Sequence, residues 1–160
     1  MLHQYRVTKY DPALRDLSGA YLREEWTSRS DVGKLFAGEE LTEERYLQVE
    51  EAYLEAVVTF FNEAEIRGLR VVGLENTFAD SEVPEAGAVV QGEQVKAVLR
   101  ALLRKRYWCK LESSSAYVHV GHDYYMYIGV PCACPRAEKH TSQLGLFVEE
   151  FRSPYLANAA

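Results

Sequence analysis

At 160 residues and 48% hydrophobic side chains, the chain is long enough to bury one core without disulfides or a structural metal. No run approaches the roughly 20 apolar residues that a membrane span requires, so a membrane is not expected as a partner. The net charge of −6 argues against nucleic-acid binding, where phosphate contacts dominate affinity. The excess acid is concentrated: residues 1–66 carry 14 Asp and Glu against 7 Lys and Arg, while the remainder is nearly balanced. Such a half can steer a basic partner or simply keep the chain in solution.

Taken in order, residues 4–9 alternate as a strand that Asp11-Pro12 stops, because proline cannot extend a ladder. Residues 11–30 form an excursion carrying Trp26 among acids and hydroxyls, a plug against the core or the wall of a site. Ser30 or Asp31 is suited to cap a short turn. The strongest helix spans 42–62, with Thr42 as N-cap and Glu43 and Glu44 at the positive end of the dipole. Tyr46, Val49, Tyr53, Val57 and Phe60 mark its buried stripe. Seven glutamates between positions 39 and 55 face a single arginine, Arg45, which makes this region either a solvated face or a docking surface.

Residues 69–74 read as a buried strand and 75–90 as the most loop-like segment. A second helix over 93–105 carries Lys96, Arg100 and Arg104 at four-residue intervals, a basic ridge expected to pair with the acidic helix or with solvent. Three strands follow at 107–112, 116–120 and 123–129, joined by Ser113-Ser114-Ser115 and Gly121-His122. A third helix over 135–144 begins at a proline and closes at Gly145, and 146–151 is the last strand. The order β-α-β-α-β-β-β-α-β implies one α+β domain over residues 1–160. Its sheet is expected to be mixed or mostly antiparallel, of about five strands, with three helices packed on it.

The most side-chain-rich stretch is 116–130. A two-residue turn at Gly121-His122 pairs His119 with Tyr124, and a three-serine loop pairs Cys109 with His119. Alternation then sends Tyr107, Cys109, Leu111, Tyr117, His119, Tyr124, Met126 and Ile128 toward the helices. Trp108, Lys110, Glu112, Val118, Val120, Asp123, Tyr125 and Tyr127 fall on the wetter face. A register slip of one residue exchanges these roles.

Catalytic chemistry has thin support. Cys109 beside His119 suggests a nucleophile pair, but the shared core face favours an inert thiol. His119, His122 and Asp123, or Cys132, Cys134 and His140, are weak metal signatures. No phosphate-binding glycine loop, nucleophile elbow or helical HExxH occurs, so no metal and no cofactor is expected. The odd cysteine count and the absence of a secretory h-region point to reduced thiols and a cytoplasmic setting.

Segments 5–12 (YRVTKYDP), 25–33 (EWTSRSDVG), 119–131 (HVGHDYYMYIGVP) and 145–156 (GLFVEEFRSPYL) are similar to a group of small bacterial proteins of uncharacterised function, loosely associated with contact-dependent or polymorphic-toxin immunity proteins. The resemblance covers nearly the whole chain. It implies a bacterial cytoplasmic protein and brings no catalytic residues with it.

The sequence therefore leads to a non-enzymatic protein-binding module, an immunity-type inhibitor of a basic toxin. Trp108, Lys110, Asp123, Tyr125 and Tyr127 would grip the partner, since large aromatics carry interface energy. Glu44, Glu51 and Glu55 would attract it. The alternative is a small-molecule enzyme or sensor with a pocket lined by His119, Tyr124 and Tyr117. A third reading, nucleic-acid binding through Lys96, Arg100, Arg104 and Lys105, requires an exposed basic patch.

Overall fold

The computed structural model describes residues 2–157. Seven strands form one sheet: β1 (His3–Thr8), β4 (Gly68–Glu75), β5 (Val89–Gln91), β6 (Trp108–Glu112), β7 (Tyr117–Val120), β8 (Met126–Val130) and β9 (Phe147–Glu150). Their order is β5-β4-β6-β7-β8-β1-β9, and every neighbouring pair is antiparallel. The expected count of about five is thus too low. The added edge strand β5 comes from the stretch read as loop, where only three residues pair with β4. A separate two-stranded hairpin joins β2 (Leu35–Phe36) to β3 (Glu39–Glu40).

Three helices pack on one sheet face: α1 (Glu43–Glu63), α2 (Glu93–Leu103) and α3 (Pro135–Gln143). The Thr42 hydroxyl accepts from the Arg45 N–H at 3.1 Å, satisfying one of the donors that a helix start leaves free. Tyr46, Tyr53, Val57 and Phe60 are fully buried along its stripe. At the other end of α1, the Glu63 carboxylate accepts from the N–H groups of Arg136 and Ala137 at 3.1 and 2.7 Å. One helix thereby caps the positive end of another. No helix among the described residues is long and apolar enough to cross a membrane.

The register of β7 departs from expectation. Lys110 pairs with His119, Glu112 with Tyr117, His119 with Tyr127 and Tyr117 with Gly129. The loop before β7 has four residues, closed by the Ser113 N–H on the Ala116 carbonyl at 2.8 Å. The loop after it runs over 121–125, closed by the Gly121 N–H on the Tyr125 carbonyl at 2.7 Å. Each hairpin shifts by an odd number of residues, so β7 turns over. Val118 and Val120 join Cys109, Leu111, Met126 and Ile128 in the core. Tyr117 and His119 move to the outer face, with Trp108, Lys110, Glu112 and Tyr127. A Cβ on Gly129 would lie 2.2 Å from the Tyr117 ring, so the bare glycine is what lets that ring lie flat across the sheet.

Candidate functional site

Beneath the helices, Trp26 packs against Tyr46 and Tyr124 at ring separations of 5.6 and 5.0 Å. The Tyr124 hydroxyl donates to Tyr46 at 3.0 Å and Tyr46 donates to Glu50 at 2.7 Å. Glu50 is wholly buried on α1, where Arg104 grips it with two bonds of 2.8 Å and Arg100 adds one of 3.2 Å. Burial raises the affinity of Glu50 for a proton, but these partners outweigh it and hold the carboxyl below its usual range. Burial pushes Tyr124 up to about 12 and Tyr46 well above its usual value. The expected internal pairing of the basic ridge therefore holds for Arg100 and Arg104, and these two cations are not a free phosphate-binding surface.

Asp123 and Tyr124 sit with φ of +63° and +67°, a conformation that non-glycine residues rarely adopt. Two tyrosine hydroxyls hold it: Tyr10 donates to the Asp123 carbonyl at 2.6 Å and Tyr53 to the Tyr124 carbonyl at 2.8 Å. The pinned loop drives the Tyr124 ring into the core against Trp26. Trp26 is thus a plug, 5% exposed, and it also walls two clefts.

The first cleft, about 340 Å³, lies between the chain around Glu24, the β2–β3 hairpin and the start of α1. Its floor is Trp26, Phe36 and Leu41, and Glu24, Glu39 and Glu40 stand on its rim. Glu24, Glu39, Glu40 and neighbouring Glu44 are exposed, and none is in a salt bridge among the described residues. Arg23 and Arg45 share this rim, leaving it negative. Exposed leucines lie on the same lobe, Leu22 at 66% and Leu35 at 65%. The second cleft, about 410 Å³, shares Glu25, Trp26 and Arg45 and reaches Val49 and Leu146. At its edge the Lys9 ammonium contacts Glu25 at 3.2 Å and lies 4.0 Å over Trp26. Burial lowers Lys9 to about 8, against the opposing pull of Glu25.

The residues expected to bind a partner are dispersed. Glu44 is on the acidic lobe, but Glu51 is engaged by Arg100 at 2.6 Å and Glu55 by His140 at 2.8 Å. Asp123 is exposed on its strained loop, and Tyr125 stacks on Tyr10 at 5.3 Å. Trp108, Lys110 and Tyr127 share the outer sheet face, where the chain after β9 lies across them. Tyr155 packs on Trp108 at 5.5 Å and on Tyr127 at 6.0 Å. Lys110 donates to the Tyr155 carbonyl at 3.3 Å. Tyr127 is only 7% exposed, so the aromatic face is covered rather than offered.

The row of Cys109, His119 and Tyr124 does not exist. Cys109 is sealed in the helix-side core, its thiol pushed up to about 12 by burial; Tyr124 is in the aromatic cluster, and His119 faces the other way. Tyr117 stacks on His119 at 4.5 Å without Tyr124. Cys134 is buried and Cys132 exposed, while His140 is occupied by Glu55. Among the described residues no group of three or more His, Cys, Asp or Glu is placed to hold a metal ion.

Sequence reading missed one constellation. His119 Nδ1 lies 2.6 Å from Ser153 Oγ, and Nε2 lies 2.8 Å from Glu112 Oε1. These are hydroxyl, imidazole and carboxylate in series, but with the ring nitrogens exchanged relative to a serine-hydrolase triad, where Nε2 meets the hydroxyl. Ser153 is only 3% exposed beneath the Tyr155 side, and it lines neither cleft, so the connection is structural. None of it was legible beforehand, because the expected register put His119 on the face opposite Lys110 and Glu112, and Ser153 comes from 34 residues away. No family model matches the chain, and no curated protein or solved structure matches it either.

Proposed function

We propose that the chain is a non-enzymatic binding module whose acid-rimmed cleft around Trp26, Phe36 and Leu41 docks a basic protein, as an immunity-type inhibitor docks a basic toxin. The observation carrying this reading is that Glu24, Glu39 and Glu40 on the rim of one apolar-floored cleft, with neighbouring Glu44, make no salt bridge among the described residues, whereas Glu50, Glu51 and Glu55 nearby are all engaged. Ion pairing within the fold engages the acids of α1 other than Glu44 and leaves this rim free to attract from a distance. Exposed leucines beside the charged rim supply the apolar contact that an interface core uses. Relative to the sequence expectation, the docking surface moves from the sheet face to the N-terminal lobe, and of the expected glutamates only Glu44 stays in it.

The test is affinity capture from the native host with the wild-type chain and with Glu24, Glu39, Glu40 and Glu44 all changed to lysine. A stoichiometric basic partner should bind the wild type, with association slowing as salt rises, and binding to the variant should fall at least about tenfold. Reversing Glu51 and Glu55 serves as the matched control. Equal binding by the rim variant, or the absence of any basic partner, overturns the reading.

A further inference from the structure

Beyond β9, residues 151–156 lie over the outer sheet face and are attached almost wholly by side chains. Phe151 takes the Arg6 guanidinium 4.0 Å over its ring and packs on Tyr127 at 5.8 Å. Tyr155 covers Trp108 and Tyr127, and its carbonyl takes the Lys110 ammonium. Among the described residues, one backbone–backbone bond ties it to the sheet, from the Phe151 N–H to the Gln4 carbonyl at 3.1 Å. The pin at the centre is His119, which is 0% exposed beneath Ser153.

Proton placement in this pin is determined by its neighbours. A carboxylate can only accept, so the His119 Nε2 proton points at Glu112. In the neutral ring Nδ1 is then an acceptor, and the Ser153 hydroxyl donates to it while accepting from the Tyr155 N–H at 3.1 Å. Adding a proton at Nδ1 turns that acceptor into a donor, and the buried Ser153 hydroxyl proton loses its partner. It also places a cation where water is excluded.

We propose that residues 151–156 form a proton-released strap, closed over Trp108, Lys110 and Tyr127 while His119 is neutral and loosened when Nδ1 takes up a proton. The charged groups facing the ring pull in opposite senses, and burial decides the direction. On β6, Lys110 opposes the added charge and Glu112 favours it; Tyr117 on β7 stacks against the ring; Tyr127 on β8 lies across the strand pair; Ser153 and Tyr155 close from the strap. Burial lowers the proton affinity of His119 more than Glu112 restores it. Opening the strap returns the ring to water, so proton uptake favours the open form.

Hydrogen exchange at the Phe151 and Tyr155 amides, corrected for intrinsic rates and compared with amides in the middle of α1, reads the strap directly. Above about pH 6.5, the ordinary histidine value, strap protection should be flat, and below it protection should fall by up to about tenfold per pH unit, while α1 protection stays ahead of it. His119→Asn, which keeps an acceptor near Nδ1 but does not titrate, should flatten this dependence. An unchanged slope in that variant, or strap and α1 falling together in the wild type, overturns the proposal. Should the variant not fold, the wild-type His119 titration followed by NMR decides. Its midpoint must coincide with the loss of strap protection, and a His119 that titrates under a closed strap refutes the switch.

Discussion

Glu50→Gln removes the one negative charge on which four hydrogen bonds from Tyr46, Arg100 and Arg104 converge. Glutamine fills the same volume but keeps only one acceptor oxygen and turns an NH₂ group toward guanidinium donors. Breaking a buried pair from one side typically costs 3–5 kcal/mol, and because Arg100 and Arg104 retain 37% and 29% exposure a value near the lower end, about 3 kcal/mol, is expected. For a chain of this length that corresponds to a fall in Tm of roughly 6–12 °C. The pH dependence gives a second reading. The folded-state pKa of Glu50 is depressed, so its contribution is complete above the ordinary glutamate range and is lost as pH falls through the folded value. Urea unfolding of wild type and variant at a series of pH values should show a gap that closes toward acid. A destabilisation below about 0.5 kcal/mol, the scale of ordinary surface substitutions, or a gap independent of pH, would refute the assignment of Glu50 as the buried anchor of α2.

Gly129→Ala should destabilise by about 1–3 kcal/mol, the usual cost of overpacking, and pairing it with Tyr117→Ala should recover part of that loss in a denaturant-melt cycle. Native thiol titration with an aromatic disulfide should count one fast cysteine, Cys132. Cys109 and Cys134, both buried and pushed up to about 12, should react only on unfolding; prompt reaction of two or three would contradict the packing.

The three helices were legible because their signals are local: a capping threonine, a stripe at helical spacing, a proline at the first turn and a glycine beyond the last. β6 and β8 were legible too, since alternation alone gives their faces. β7 was not, because its facing depends on how many residues each flanking loop uses. Ser113 to Ala116 close by a Ser113 side-chain and backbone clasp, and the 121–125 loop closes through tyrosines from positions 10 and 53. The first adds Ala116 to a loop expected to hold three serines, and the second comes from residues outside its hairpin. The acidic region was legible as a charge run, but its division into paired and unpaired glutamates depends on where α2 lies against α1. Cys109 read correctly as an inert core thiol, whereas the histidine assigned beside it belonged to the opposite face.

The position of β1 bears on how the chain is made. This first strand pairs only with β8 and β9, and its Arg6 is joined to Glu149 across 143 residues. During synthesis, at about 5–20 residues per second, β1 emerges early and has no strand to pair with until β8 has been made. Its apolar Tyr5 and Val7 stay available to other edges for that interval. Closure of the sheet is therefore a late step of high contact order, and a truncation that removes β8 and β9 leaves β1 without its native neighbours.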